Sequence, residues 1–411
     1  MTGIESTRYA SAKPSALHQT IAEPVPMTSE SIYLQFSDLE HERRRSAVRS
    51  MMSEHSLDAL VVFGWSAMGR AVQADVHYLS GFLGMRDNYV VFPAGGEPVL
   101  FAQSYNHVPN ASMVSVIETR WGGTDPGATI AGELQRFGAR SVGVVGMMPY
   151  QHHDSMRAAH PDAMFRDVTR AFRMLRVSKS AEELEWLRLG AEHTDRALVA
   201  LEHEVRPGMR EYELAEVIEH SYLGQGGLTG FYYLATTPMA NPERCVPAQV
   251  LSSRVIEPGD VLTTEISISH GGYAGQGLRT YTVASDPDNR IAELGAVAIE
   301  VYHQVAAAIR PGATHEAVWE ASDLIATSGF TIRDGLVHGF GIGLLPPSLR
   351  TREATHDVDA WVFEENQTVV IQPNVITLDE KVGVQVGDLC VVTPDGARSL
   401  HGLPIELVRA G

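Results

Sequence analysis

Hydrophobic and polar positions change their period several times along this chain, and the changes mark out its elements. Residues 1 to about 30 show no periodicity and are rich in Ser, Thr, Ala and Pro, which predicts a flexible N-terminal arm. Order begins at Ser37-Asp38, a cap for a helix predicted to run to about Ser53. Short apolar runs follow at Leu57–Gly64, Tyr89–Phe92, Pro98–Phe101 and Ser141–Val145, each reading as a buried strand, with helical stretches between some of them. Together they predict a small α/β domain over residues 31–175.

A long helix is predicted from Ser180-Ala181-Glu182-Glu183, a capping-box-like start, to about Val205. Beyond it the chain echoes itself. Arg206-Pro207-Gly208-Met209-Arg210-Glu211-Tyr212-Glu213 is matched by Arg310-Pro311-Gly312-Ala313-Thr314-His315-Glu316-Ala317, each copy placed between helices with Pro-Gly as the turn. Two similar halves about a pseudo-twofold axis would follow, with coincidence the alternative. Strand-like runs at Asp260–Ile268, Gly277–Val283, Thr368–Gln372 and Gly387–Val392 predict an antiparallel sheet backed by paired helices over residues 176–411. The fold class is thus α/β (α+β).

Composition narrows the function. At 411 residues, two domains with sizeable cores are the default. Lys plus Arg is 32 against 50 for Asp plus Glu, a net charge of −18, which argues against nucleic acid as a partner. A small anionic substrate stays open, because one local arginine can reverse the field inside a cleft. The only cysteines, Cys245 and Cys390, make no disulfide framework and no Cys-x-x-Cys pattern. No stretch approaches the roughly 18 apolar residues of a membrane span, and no signal-peptide organisation is seen. A cytoplasmic protein with no membrane partner is expected.

Several ordered motifs resemble the creatinase, prolidase and methionine-aminopeptidase superfamily, with its pita-bread fold, over about residues 35–411. They are Leu175-Arg176-Val177-Ser178-Lys179-Ser180, Glu257-Pro258-Gly259-Asp260-Val261-Leu262, Gly272-Tyr273 followed by Leu278-Arg279-Thr280, His338-Gly339-Phe340-Gly341, and Val391-Val392-Thr393-Pro394-Asp395-Gly396. The resemblance implies a creatinase-like N-terminal domain, a pita-bread catalytic domain, and a homodimer with its site near the subunit interface. In type it is nearest to metal-free creatinase-like proteins. Metal-bearing members carry carboxylates where this chain has Glu265, Gln276, Gln372 and Gly387, and keep the histidine at His338. Two divalent ions need several anionic oxygens, so no metal and no cofactor is expected. The segment Asn241–Gln249 lacks the histidine that metal-free creatinase-like enzymes can use as a proton shuttle, and Leu344-Leu345-Pro346-Pro347 replaces a second one.

What remains predicts an enzyme. His338, flanked by glycine, suits acid and base work near neutrality, with a carbonyl-bonded core histidine as the bland alternative. Glu265 would act as general base or hold the histidine; otherwise it would pair with Arg279. Gln276 and Gln372 suit orienting a substrate, or bonding to each other. Arg279 and Tyr273 complete the expected substrate-binding set, although Gly271-Gly272 argues for a plain hairpin turn at Tyr273. Arg86 resembles an arginine that in creatinase-like dimers reaches the partner's site and grips a carboxylate, against a surface pair with Asp87. Cys245 is a remote nucleophile candidate.

The expected function is a metal-independent hydrolase or lyase on a small polar, carboxylate-bearing molecule, cleaving a C–N or amide-like bond or catalysing elimination or isomerisation, in specialised metabolism. The alternatives are an inactive pita-bread binding module and an aminopeptidase P-like metallopeptidase with unusual ligands.

Overall fold

The computed structural model describes residues 32–66, 70–355 and 360–411. The predicted arm of residues 1–30 lies outside them. Every element below lies in the compact unit Phe36–Gly411.

Helix α1 (Asp38–Glu54) starts where the sequence places it, with the Ser37 hydroxyl accepting from the Glu40 amide. The first domain continues through β1 (Ala59–Gly64), α2 (Ala74–Ser80), β2 (Asn88–Pro93), β3 (Val99–Ala102), α3 (Val108–Val114), β4 (Glu118–Trp121), α4 (Pro126–Arg136), β5 (Ser141–Val145), α5 (Tyr150–Ala159), β6 (Met164–Asp167) and α6 (Thr169–Met174). Among the described residues its six strands run in the order β4-β3-β2-β1-β5-β6. The pairs β1/β2 and β2/β3 are antiparallel; β1/β5, β5/β6 and β3/β4 are parallel. Both faces of β1 are buried, so Leu60 and Val62 join one core cluster and Ala59, Val61 and Phe63 another. The strand begins two residues later than the apolar run suggests. Asp58 instead turns its carboxylate onto the amides of Arg140 and Ser141.

Helix α7 (Ala181–Glu204) opens the second domain with a complete capping box between Ser180 and Glu183. It is followed by α8 (Leu214–Tyr222), β7 (Leu228–Pro238), β8 (Asp260–His270), β9 (Tyr273–Val283), α9 (Asn289–Ala308), α10 (His315–Thr327), β10 (Thr331–Ile332), β11 (Val337–Gly341), β12 (Gly343–Leu349), β13 (Thr368–Ile371), β14 (Asn374–Ile376), β15 (Gly383–Gln385), β16 (Gly387–Thr393), β17 (Gly396–Ser399) and β18 (Leu407–Ala410). The main sheet runs β12-β11-β13-β16-β9-β8-β7, with β17 added on β16 and β18 on β9; β10-β14-β15 form a smaller sheet.

The repeated Arg-Pro-Gly turns are superposable in their bonding. Gly208 donates to the Ile256 carbonyl and Gly312 to that of Phe363, while Ile256 and Phe363 donate back to Met209 and Ala313. Gly208 and Gly312 have φ of 95° and 86°, the left-handed region that glycine enters freely. Leu262, Ile266 and Ile268 of β8 pack with α7 and α8 residues in one core, while α9 and α10 cover β11, β13 and β16 through another. The opposite face of β8 is thereby left for polar residues. Among the described residues, no helix is long and apolar enough to cross a membrane.

Candidate functional site

Glu265, Gln276, His338 and Gln372 converge on that polar face. The register of β8 against β9 pairs Glu265 with Leu278 and Ser267 with Gln276, so Thr263, Glu265, Ser267 and Ser269 alternate away from the α7 side. Gln276 reaches diagonally: its Nε2 donates to Glu265 Oε1 and to Gln372 Oε1, both at 2.9 Å. Gln372 sits where the chain crosses from β13 to β14, between the two sheets. Pro373, which has no amide hydrogen, follows it at the crossing. Its Nε2 donates to the Gly335 carbonyl at 3.3 Å, which fixes the orientation of the carboxamide.

His338 lies on β11 at a register shift between His338 and Gly339. Any Cβ at position 339 would fall 2.2 Å from the Pro346 carbonyl oxygen, so glycine is obligatory beside this histidine. Nε2 of His338 lies 3.1 Å from Gln372 Oε1, and Nδ1 lies 3.2 Å from the Gly339 carbonyl oxygen. Both neighbours are acceptors, so a protonated ring would find a partner on each side. Burial nevertheless dominates and holds the imidazole pKa below its ordinary value; the two hydrogen bonds and nearby Asp334 oppose it.

Burial also pushes the Glu265 carboxyl up to about 8, with Asp334 adding to the rise. Tyr233, opposite Glu265 on β7, is raised by burial and by the same two carboxylates. It stacks on Phe231, the ring centroids 4.7 Å apart. Asp334, Tyr233 and Ser267 are site residues that sequence reasoning missed. The alternation of β8 around Glu265 would have indicated Ser267; nothing comparable pointed to Asp334.

Three expected site residues lie elsewhere. Arg279 pairs with Thr264 and points to the opposite face, where Nη1 meets Asp388 at 2.9 Å and the Gly387 carbonyl at 3.0 Å. It neither binds in the site nor pairs with Glu265. Tyr273 follows the Gly271-Gly272 turn, as a hairpin requires, and its hydroxyl donates to Glu183 (2.8 Å) and accepts from Arg44 (3.0 Å). Arg86 is exposed in the first domain. Its carbonyl accepts from Gln73 and Asn88, and among the described residues its guanidinium makes no ion pair; Asp87 is bonded to the Ser66 amide instead. Cys245 and Cys390 are free and buried, and burial raises both thiols, which disfavours the thiolate that a nucleophilic Cys245 would need.

The described geometry matches known proteins over nearly the whole chain. Residues 185–394 match Metallopeptidase family M24, and residues 44–178 match the Creatinase/Prolidase N-terminal domain. An Xaa-Pro dipeptidase of Pyrococcus furiosus is 24% identical, covering 89% of this chain and 99% of the relative. An uncharacterized peptidase of Bacillus subtilis is 25% identical, covering 88% and 98%. Among solved structures, an X-Pro aminopeptidase of Thermotoga maritima superposes with a TM-score of 0.77 at 19% identity, covering 89% and 99%. The prolidase of Pyrococcus horikoshii gives 0.75 at 21%, covering 89% and 100%. These relatives are peptidases within a metallopeptidase family, which overturns the expected metal-independent hydrolase or lyase. The alternative of an aminopeptidase P-like metallopeptidase with unusual ligands is the one they favour.

Two adjacent divalent ions do not fit the donor set present. Glu265 is the one carboxylate among the five family positions, the carboxamides of Gln276 and Gln372 bond to each other, and His338 adds one imidazole. A Cβ at Gly387 would lie 2.3 Å from the Ile371 carbonyl oxygen and 2.8 Å from Gln372 Cα, so that position takes no side chain without a backbone shift. Among the described residues, no group of three or more His, Cys, Asp or Glu is arranged to hold an ion.

Proposed function

The chain belongs to metallopeptidase family M24, and from that premise we propose that it is a peptidase-type hydrolase of small peptides, of the Xaa-Pro dipeptidase kind. The observation that carries the reading is near-full-length similarity to Xaa-Pro dipeptidases combined with the convergence of Glu265, Gln276, His338 and Gln372 at one buried locus. Fold alone would not support it, since one architecture hosts many reactions.

In this reading the chain's own residues divide the work as follows. Gln372, fixed by the Gly335 carbonyl, orients His338 through Nε2. His338 holds or receives a proton at Nε2 or Nδ1, and Glu265 exchanges one at its carboxylate oxygens. Gln276 keeps the Glu265 carboxylate in place through Oε1. Tyr233 and Phe231 form an aromatic wall beside the acid, suited to the apolar part of a small peptide. No step is assigned to a metal pair, because the donor set does not suit one.

The test is a panel of Xaa-Pro and Xaa-Ala dipeptides, with free amino acids quantified by chromatography, each run with and without added Mn²⁺, Co²⁺ or Zn²⁺. Release of amino acids from the Xaa-Pro members, lost in His338→Ala and Glu265→Gln, is the expected result. No release under any condition, from a folded protein, would sink the reading and leave the binding module in its place.

A homodimer remains part of the proposal, with the exposed Arg86 of each copy directed at a substrate carboxylate in the other. A monomer by sedimentation, or an unchanged KM in Arg86→Met, would remove it. With two free buried thiols, a cytoplasmic location is also retained, and cell fractionation against compartment markers tests it.

A further inference from the structure

Among the described residues, two buried polar atoms at this site have no hydrogen-bond partner: Oγ of Ser267 and Oε1 of Gln276. Both residues are essentially inaccessible, at 0% and 1% exposure. They face each other across β8 and β9, where directly opposed Cβ atoms stand about 4.5–5.5 Å apart. Both donor hydrogens of the Gln276 carboxamide are committed to Glu265 and Gln372, so its oxygen is free only to accept.

The neighbours of Ser267 show that its isolation is local. On the same face of β8, the Ser269 hydroxyl donates to the Leu228 carbonyl, and Thr263 lies 3.5 Å from that of Ala235. At the level of Ser267 the β7 register slips between Thr229 and Phe231, so the matching contact is not made. A buried hydroxyl and a buried carboxamide oxygen left unbonded are each costly, and both together call for a small bridging group that donates and accepts. One water molecule has that chemistry.

We propose that Ser267 and Gln276 hold a water molecule against Glu265, which makes Ser267 a positioning residue for hydrolysis; this rests on the hydrolase reading above. The water oxygen adds to the scissile carbonyl carbon as one of its protons passes to the ionised Glu265 carboxylate. The C–N bond then breaks and the amine nitrogen takes that proton, leaving one carboxylic acid and one amine. Water is the only co-reactant.

The test uses the full-length protein in three forms: native, Ser267→Ala and Ser267→Thr. A crystal structure of the native protein that orders solvent should show a water within hydrogen-bonding distance of Ser267 Oγ and Gln276 Oε1, absent in Ser267→Ala. On an Xaa-Pro dipeptide, Ser267→Ala should lower kcat on the order of 10- to 100-fold with KM unchanged, and Ser267→Thr should recover most of it. Thermal unfolding separates the role from a purely structural one. Removing a hydroxyl that bonds nothing leaves Tm unchanged or raises it, whereas losing a bound water lowers it. A native structure in which Ser267 Oγ bonds a protein carbonyl and no water overturns the proposal, as does an unchanged kcat in Ser267→Ala. If the native protein cleaves no dipeptide yet shows the water, and Ser267→Ala loses it, the hydrolase reading falls and the water site stands.

Discussion

Two buried polar clusters in this chain are built on opposite principles. At the junction of the domains, charge is matched by charge. Arg44 of α1, 1% exposed, meets Glu40 at 2.6 Å and Glu183 of α7 at 3.3 Å, and donates to Tyr273 at the start of β9. Asp75 takes Arg176 at 2.5 Å and Arg173 at 3.2 Å. At the candidate site no cation pairs with Glu265 among the described residues, and two neutral carboxamides occupy the space beside it. Completed pairs fix geometry but leave nothing for a ligand. The site keeps acceptors uncommitted and an acid whose pKa, raised by burial to about 8, lies close enough to neutrality for both of its forms to be reached, the condition for proton exchange.

The sharpest way to break this contrast is to remove one group from each cluster. His338→Ala should lower turnover by about 10²- to 10⁴-fold while the unfolding midpoint hardly moves. Steady-state kinetics beside chemical denaturation checks both parts, and a large stability loss with turnover retained would mean that His338 is a core residue. Arg44→Met should do the converse. It leaves Glu40 and Glu183 with Arg43 alone, at 2.7 and 3.3 Å, and should cost about 1–3 kcal/mol in ΔG of unfolding. Turnover per folded molecule should remain near native. If Arg44→Met lost activity at full stability, the junction would belong to the site.

Legibility in the sequence followed the same division. Local signals were enough for the helix starts at Ser37 and Ser180, because a cap needs only residues three apart. The Arg-Pro-Gly echo was readable because each copy imposes its own turn. That Glu265, Gln276, His338 and Gln372 meet at one locus was legible from the family resemblance, which orders their motifs along the chain. Arg279 and Tyr273 failed because a strand position fixes a face, and a shift of one residue reverses it: Glu265 opposes Leu278, leaving Arg279 on the far side. Ser267 was missed for the complementary reason, since the slip in β7 that isolates its hydroxyl appears only in the paired sheet. Asp334 precedes β11 without periodicity of its own. Function was misread because the substituted ligand positions were weighed above the whole-chain likeness to Xaa-Pro dipeptidases.

Restoring charge at the site gives the next prediction. Gln276→Asp with Gln372→Glu would set three carboxylates beside His338, so the double variant should bind Mn²⁺ at least tenfold more tightly than the native chain, about 1.4 kcal/mol. Isothermal titration with Mn²⁺ measures it directly. Without the ion, crowded like charges should destabilise the variant at neutral pH. Equal Mn²⁺ affinity in both proteins would show that the native donor set is better than its charge implies.

Lys179 falls in neither class and gives the smallest effect. It lies 6% exposed in the linker before α7, and its ammonium donates at 2.7 Å to the carbonyls of Arg176 and Val177, with no carboxylate paired to it among the described residues. Burial pulls its pKa down to about 7, only partly offset by Glu183, whereas the unfolded chain keeps the ordinary value of 10.5. Between those two values the unfolded state binds more protons, so stability should rise with pH across that window. One group contributes at most about 1.4 kcal/mol per pH unit there. Below pH 7 both states are protonated and the contribution is flat. Lys179→Met should remove this part of the slope, as denaturant unfolding at pH 7, 8 and 9 would record. An unchanged slope would mean that Lys179 stays charged in the fold, held by its two carbonyls and Glu183, which would place it with the junction after all.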